Sequence, residues 1–180
     1  MKGSIFRSDL SGAGSRLNFD AEAGSKPVTI VCKVDGLCEP AFEGGPQNPG
    51  GVATYGYFIS FQDGRPITKG SGVIGEGEGM DHMVAEYESV VQALRYLLHE
   101  NRTLEPVEIC NDNRQLWLEM TGLKEVGKGP YTSTYDEARK LSSAFSKIDY
   151  KLINRESIWE ADCLAWKEYR QYLSKGRTPI

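Results

Sequence analysis

The spacing of apolar residues changes once along this chain, near residue 80, and that change limits the folds open to it. Before that point apolar and aromatic residues come in short β-branched runs: VTIVCKVD, which ends on Asp35, then VATYGYFISF and RPITKGSGVI. Such runs favour strands, and Asp63-Gly64 between the second and third is a hairpin signal. The next stretch, MDHMVAEYESVVQALRYLLHE, sets apolar residues at Val84, Tyr87, Val91, Leu94 and Leu98. Steps of three and four mark one face of a helix, and Asp81 is its candidate N-cap.

The pattern then alternates. VEICND predicts a strand closing on Asp112, RQLWLEM a short helix, and TGLKEVGKGP a loop carrying Lys124 and Lys128. STYDEARKLSSAF predicts a further helix, with Ser133 or Thr134 and Glu137 in a capping arrangement. KIDYKLIN predicts the last strand and SIWEADCLAWKEYRQYL the last helix. The order β-β-β-α-β-α-α-β-α predicts an α/β fold: a mixed five-stranded sheet, three antiparallel strands then parallel additions, with helices on both faces. The 180 residues suffice for one such domain. Residues 1–26, rich in Gly, Ser and Ala, read as a flexible tail and residues 27–180 as the domain. Trp117, Trp159 and Trp166 fall at helical spacings and are expected in the core, and His99 is expected to cap a helix end.

Composition bounds the setting. Cys32, Cys38, Cys110 and Cys163 show no C-x-x-C spacing, so reduced thiols are expected, with a disulfide as the alternative. No run approaches the ~18 apolar residues of a membrane span, and the first residues lack the apolar region of a secretory signal. A cytoplasmic, monomeric protein without a membrane partner is the expectation. The net charge of −4 argues against binding that relies on phosphate contacts alone.

Four acids stand out by position. Asp35 and Asp112 close predicted strands, Glu86 lies early in the long helix beside its apolar stripe, and Asp162 lies among Ala161, Leu164 and Ala165. Each has an ordinary structural explanation: a turn at Asp35, a helix cap at Asp112, a dipole-favoured acid at Glu86, an ion pair at Asp162. One shared cause accounts for all four. Carboxylates crowded at one end of a sheet repel one another unless divalent cations lie between them. Mg²⁺ prefers such hard oxygen donors, and a pair of ions can serve phosphodiester hydrolysis.

Five segments in series, VDGLCEP, NPGGVATYGYFI, AEYESVVQAL, ICNDNRQLWLEMTG and NRESIWEADCLAW, resemble ribonuclease H of type I over about residues 28–172. The similarity is to compact, archaeal-like forms without a basic protrusion. The resemblance implies a ribonuclease H-like fold and cleavage of the RNA strand of an RNA·DNA hybrid with two Mg²⁺, or Mn²⁺ in their place. It assigns catalysis and metal binding to Asp35, Glu86, Asp112 and Asp162. It also implies substrate contacts at Gly36, Asn48, Gly50, Gly51, His82, Asn113 and Arg155.

The chain departs from the family pattern in its longer LCEPAFEGGPQ segment, in DHM before the glutamate, and in Arg155 and Glu156 where many members carry a histidine. Two other activities fit the same acids: a structure-selective nuclease on double-stranded RNA or branched DNA, and a hybrid-binding protein with little catalysis.

Overall fold

The computed structural model describes residues 28–40 and 51–175, so the expected tail and the contacts expected at Asn48 and Gly50 lie outside the described residues. Three strands open the fold: β1 (Ile30–Glu39), β2 (Val52–Phe61) and β3 (Pro66–Glu76). They pair antiparallel, and the β2–β3 turn holds Gly64 at φ 87°. The Asp63-Gly64 signal thus marks a real hairpin. Helix α1 (His82–His99) follows, with Asp81 accepting the Val84 N–H at 2.7 Å as the N-cap. Strand β4 (Val107–Asn111), helices α2 (Arg114–Met120) and α3 (Thr132–Ser142), strand β5 (Ile148–Leu152), a 3₁₀ turn (Arg155–Ile158) and α4 (Trp159–Ser174) complete it.

The sheet runs in the order β3-β2-β1-β4-β5, with β1, β4 and β5 parallel. This is the mixed sheet expected from the change of period. Residues along β1 alternate between two covered faces. Ile30, Cys32 and Val34 point into the core under α1, where Val84, Tyr87, Val90, Val91, Leu94 and Leu97 close on Ile59, Val107 and Ile109. On the opposite face Lys33 bonds Glu160 of α4 at 2.9 and 3.0 Å, and Thr54 of β2 donates to the Ala165 carbonyl at 3.0 Å.

Two glycines set how closely the helices approach. A Cβ on Gly36 would lie 2.2 Å from both Ala85 C and Glu86 N of α1. A Cβ on Gly56 would lie 2.2 Å from Ala161 O of α4. Gly56 is the β2 partner of Asp35 in the antiparallel register. Backbone therefore rests on backbone at both places, one on each face, on either side of Asp35.

A buried acid stabilises the far side of α1. Glu119 of α2 is 1 % exposed; its Oε2 accepts from the Tyr87 hydroxyl at 2.6 Å. Its Oε1 accepts from Gln115 Nε2 at 3.0 Å and the Tyr131 hydroxyl at 3.2 Å. Burying a carboxylate is tolerable only with such donors around it.

Several local expectations are corrected. β1 does not stop at Asp35 but runs on to Glu39 against β2; only its pairing with β4 ends, at Lys33 opposite Cys110. Helix α3 starts one residue before Ser133, and its N-cap Tyr131 makes no side-chain cap bond, because Thr132 Oγ1 turns back to the Gly129 carbonyl at 2.9 Å and Glu137 pairs with Arg95. His99 does not cap α1: its ring meets Glu100, which is itself the C-cap. Trp117 and Trp166 are partly buried, but Trp159 is 59 % exposed at the first position of α4. All four cysteines are free thiols, Cys163 alone among them exposed. Lys124 and Lys128 lie exposed in the loop after α2. No helix among the described residues is long and apolar enough to cross a membrane.

The packing at Gly36 generates a test. Gly36→Ala should cost about 3 kcal/mol in urea denaturation, since the added methyl meets backbone that cannot rotate away. An unchanged midpoint would show that α1 is not seated as described.

Candidate metal centre

Each acid reaches the site on a different element. Asp35 projects from β1 just past the last residue paired with β4, where the sheet opens. Glu86 is carried by α1, whose backbone at this residue presses on Gly36. Asp112 follows β4 directly, and Asn111 Oδ1 stabilises the turn by accepting the Asn113 N–H at 3.0 Å. Asp162 lies in the first turn of α4, next to the Ala161 that rests on Gly56.

Asp35, Glu86 and Asp112 each offer a ligand atom, and these atoms lie within 4.8 Å of one another. Asp35 and Glu86 are 2 % and 1 % exposed, and Asp112 is partly buried. Three acids at this separation cannot all ionise freely without countercharge. Asp35 records the strain: burial first, then the charges of Glu86, Asp112 and Asp162, push its pKa up to about 8, against an opposing pull from Arg155. Its dependence on Asp162 places the fourth acid in the same field.

The other partners are basic. His82 Nε2 lies 3.0 Å from Glu86 Oε1 one helical turn away, and that hydrogen bond raises the imidazole pKa. Glu86 Oε2 is left buried with no hydrogen-bond partner; with Asn111 Nδ2 it makes up the orphaned buried side-chain atoms among the described residues. A buried carboxylate oxygen without a donor is costly. Three carboxylates and an orphaned oxygen form a hard, all-oxygen donor set, which fits a divalent cation such as Mg²⁺ and does not suit zinc. The other end of the site is closed by Arg155, whose Nη2 is 2.5 Å from Asp162 Oδ1 and whose Nη1 is 3.8 Å from Asp112 Oδ2.

The remaining candidate contacts separate into two kinds. His82 and Arg155 are exposed on the rim and touch the acids. Gly36 and Gly51 are buried: the first accommodates α1, and the second has its carbonyl taken by the Gly77 N–H at 2.9 Å. Asn113 is the N-cap of α2, its Oδ1 accepting from Gln115 N and Leu116 N and its Nδ2 meeting Met83 Sδ. Substrate contact is therefore not what occupies these three. Sequence reasoning missed Gly56 and the Lys33–Glu160 pair, which set where α4 presents Asp162. The one available signal was a glycine interrupting an aromatic strand, a mark of close backbone approach.

The raised pKa of Asp35 has a direct consequence for stability. A pKa above the ordinary 3.8 means the folded state favours the protonated acid. Its contribution is complete below about pH 4 and is lost as the pH rises through about 8. Without divalent ions, thermal stability should fall across that window, and Asp35→Asn should melt roughly 5 °C above the parent at pH 8. Melting scans in EDTA at several pH values check this; equal slopes for the two proteins would contradict it.

Comparison with known proteins matches this architecture. The profile of the reverse transcriptase-like family matches residues 42–168, more than half of the chain. No curated protein matches at the level of sequence. Among solved structures, RNase H1 of the halophilic archaeon Halobacterium salinarum NRC-1 superposes with a TM-score of 0.65 at 21% identity, covering 79% of this chain and 98% of that one. The N-terminal RNase H domain of a Mycobacterium tuberculosis protein gives 0.70 at 23% identity, over 82% and 98% of the two chains. LC11-RNase H1, isolated from compost by a metagenomic approach and solved in complex with an RNA/DNA hybrid, gives 0.67 at 22% identity, over 80% and 99%. With its sheet order, its clustered acids and its matched profile in agreement, the chain belongs to the reverse transcriptase-like family and has the fold of the type 1 ribonucleases H.

Proposed function

We propose that this chain is an endoribonuclease that hydrolyses the RNA strand of RNA·DNA hybrids, with two Mg²⁺ per site and Mn²⁺ able to replace them. The observation that carries this reading is the buried trio Asp35, Glu86 and Asp112, with ligand atoms within 4.8 Å and one orphaned oxygen among them. The similarity to LC11-RNase H1, itself solved with an RNA/DNA hybrid, supports the choice of substrate.

Divalent ions bound there would lower the pKa of an attacking water and offset the charge that gathers on the departing 3′ oxygen. The protein's own groups supply the frame for that chemistry. Asp35, Glu86 and Asp112 provide oxygens from three separate elements, and Asp162 provides a fourth from the opposite face of the sheet. His82 holds Glu86 Oε1, which leaves Oε2 directed to the site or to a ribose 2′-OH. That hydroxyl is the group by which RNA is told from DNA. Arg155 on the rim presents a fork of N–H donors suited to phosphate oxygens. An acidic protein can approach an anionic strand here because cations and Arg155 stand between its carboxylates and the phosphates.

Asp112→Asn should retain the fold and lower Mg²⁺-dependent cleavage of a labelled RNA·DNA hybrid by about 10³-fold. EDTA should stop the parent protein, and added Mg²⁺ or Mn²⁺ should restore it. Duplex RNA and duplex DNA, run beside the hybrid on the same gel, should stay intact. Undiminished cleavage by the variant would defeat the assignment, and preferential cutting of duplex RNA would replace its substrate.

A further inference from the structure

The compact trio does not include Asp162, although that acid acts on Asp35 electrostatically. Between Asp162 and Asp112 stands a guanidinium. Arg155 touches Asp162 Oδ1 at 2.5 Å and reaches toward Asp112 Oδ2 at 3.8 Å. These are the two carboxylates that a second cation, placed beside one bound by the trio, would have to share. We propose that Arg155 is a built-in countercharge that closes the second cation position until a substrate phosphate draws it away. The free protein then takes up one divalent ion, and the second enters together with nucleic acid. This inference rests on the nuclease reading above and adds an order of assembly to it.

The local structure fits a group that is held at one end and free at the other. Arg155 opens the 3₁₀ turn that leads into α4, and that turn is anchored by Ile158, which is fully buried. The side chain itself is 59 % exposed, so it can swing outward without disturbing packing. Its charge is permanent, because a guanidinium does not lose its proton at any ordinary pH. Release therefore requires a competing anion, not a change of acidity. A phosphodiester is such an anion: it offers two oxygens to the same fork of donors that now faces Asp162. A divalent ion and a guanidinium cannot both take the same carboxylate oxygens, since like charges at that distance repel strongly in a partly buried site.

The test counts ions on the full chain without nucleic acid. Mn²⁺ is titrated by calorimetry, and the electron paramagnetic resonance spectrum is recorded for the broadening that two neighbouring Mn²⁺ ions produce. The parent protein should bind one Mn²⁺ and show no broadening. Arg155→Gln should bind two, with second-site affinity raised at least tenfold, and should show the broadened spectrum. A parent protein that already holds two neighbouring ions overturns the inference without recourse to any variant. So does a folded Arg155→Gln that still holds one; in both cases the nuclease reading survives. Failure of either protein to bind any ion, with hybrid cleavage absent as well, removes both together.

Discussion

Backbone-to-backbone contact on both sides of β1 is the constraint on which the site depends. Gly36 lets α1 settle where a methyl would collide with Ala85 and Glu86, and Gly56 does the same for α4 at Ala161. Each contact lies beside an acid: Glu86 on one helix and Asp162 on the other. Ordinary side-chain packing holds helices about 10 Å from a sheet, and at that spacing carboxylates on opposite faces would not share one electrostatic field. The close approach carries a fixed electrostatic cost, because it brings negative groups together in a region that excludes water.

The structure meets that cost with a different device at each acid. Asp35 is pushed toward its protonated form, Glu86 leans on His82, and Arg155 stands between Asp112 and Asp162. Lys33 and Glu160 pair alongside on the α4 face and fix that helix to β1. A site balanced by a proton and by movable basic side chains is ready to exchange them for cations. The overall charge of −4 then says little about affinity for a nucleic acid, since local countercharge governs the approach.

Much of this was legible in the sequence, and for identifiable reasons. The order of strands and helices followed from the change in apolar period, which depends on local geometry alone. The four acids stood at positions where burial-type neighbours made a charge conspicuous, and Asp35, Glu86 and Asp112 do converge. What could not be read were facts that need two segments at once. Gly36 looked like a place for substrate to approach, but the close neighbour is α1. Asn113 looked like a polar group beside a catalytic acid, but the first N–H groups of α2 claim its oxygen. Asp35 looked like the end of a strand because the run of β-branched residues stops there, whereas β2 continues to pair with the chain as far as Glu39. Trp159 has the spacing of a core residue and lacks a neighbouring element to cover it.

The polar cluster around Glu119 bears on the metal centre through orientation. Apolar side chains under α1 resist being pulled from the sheet, yet they oppose rolling of the helix about its own axis only weakly, since dispersion contacts have little directionality. The Tyr87–Glu119 hydrogen bond is directional, and Tyr87 is the residue next to Glu86. With a side-chain tip about 5–6 Å from the helix axis, a roll of roughly 10° would swing the Glu86 carboxylate by about 1 Å. A buried acid that never meets the substrate thus acts as a rotational stop for the one that does.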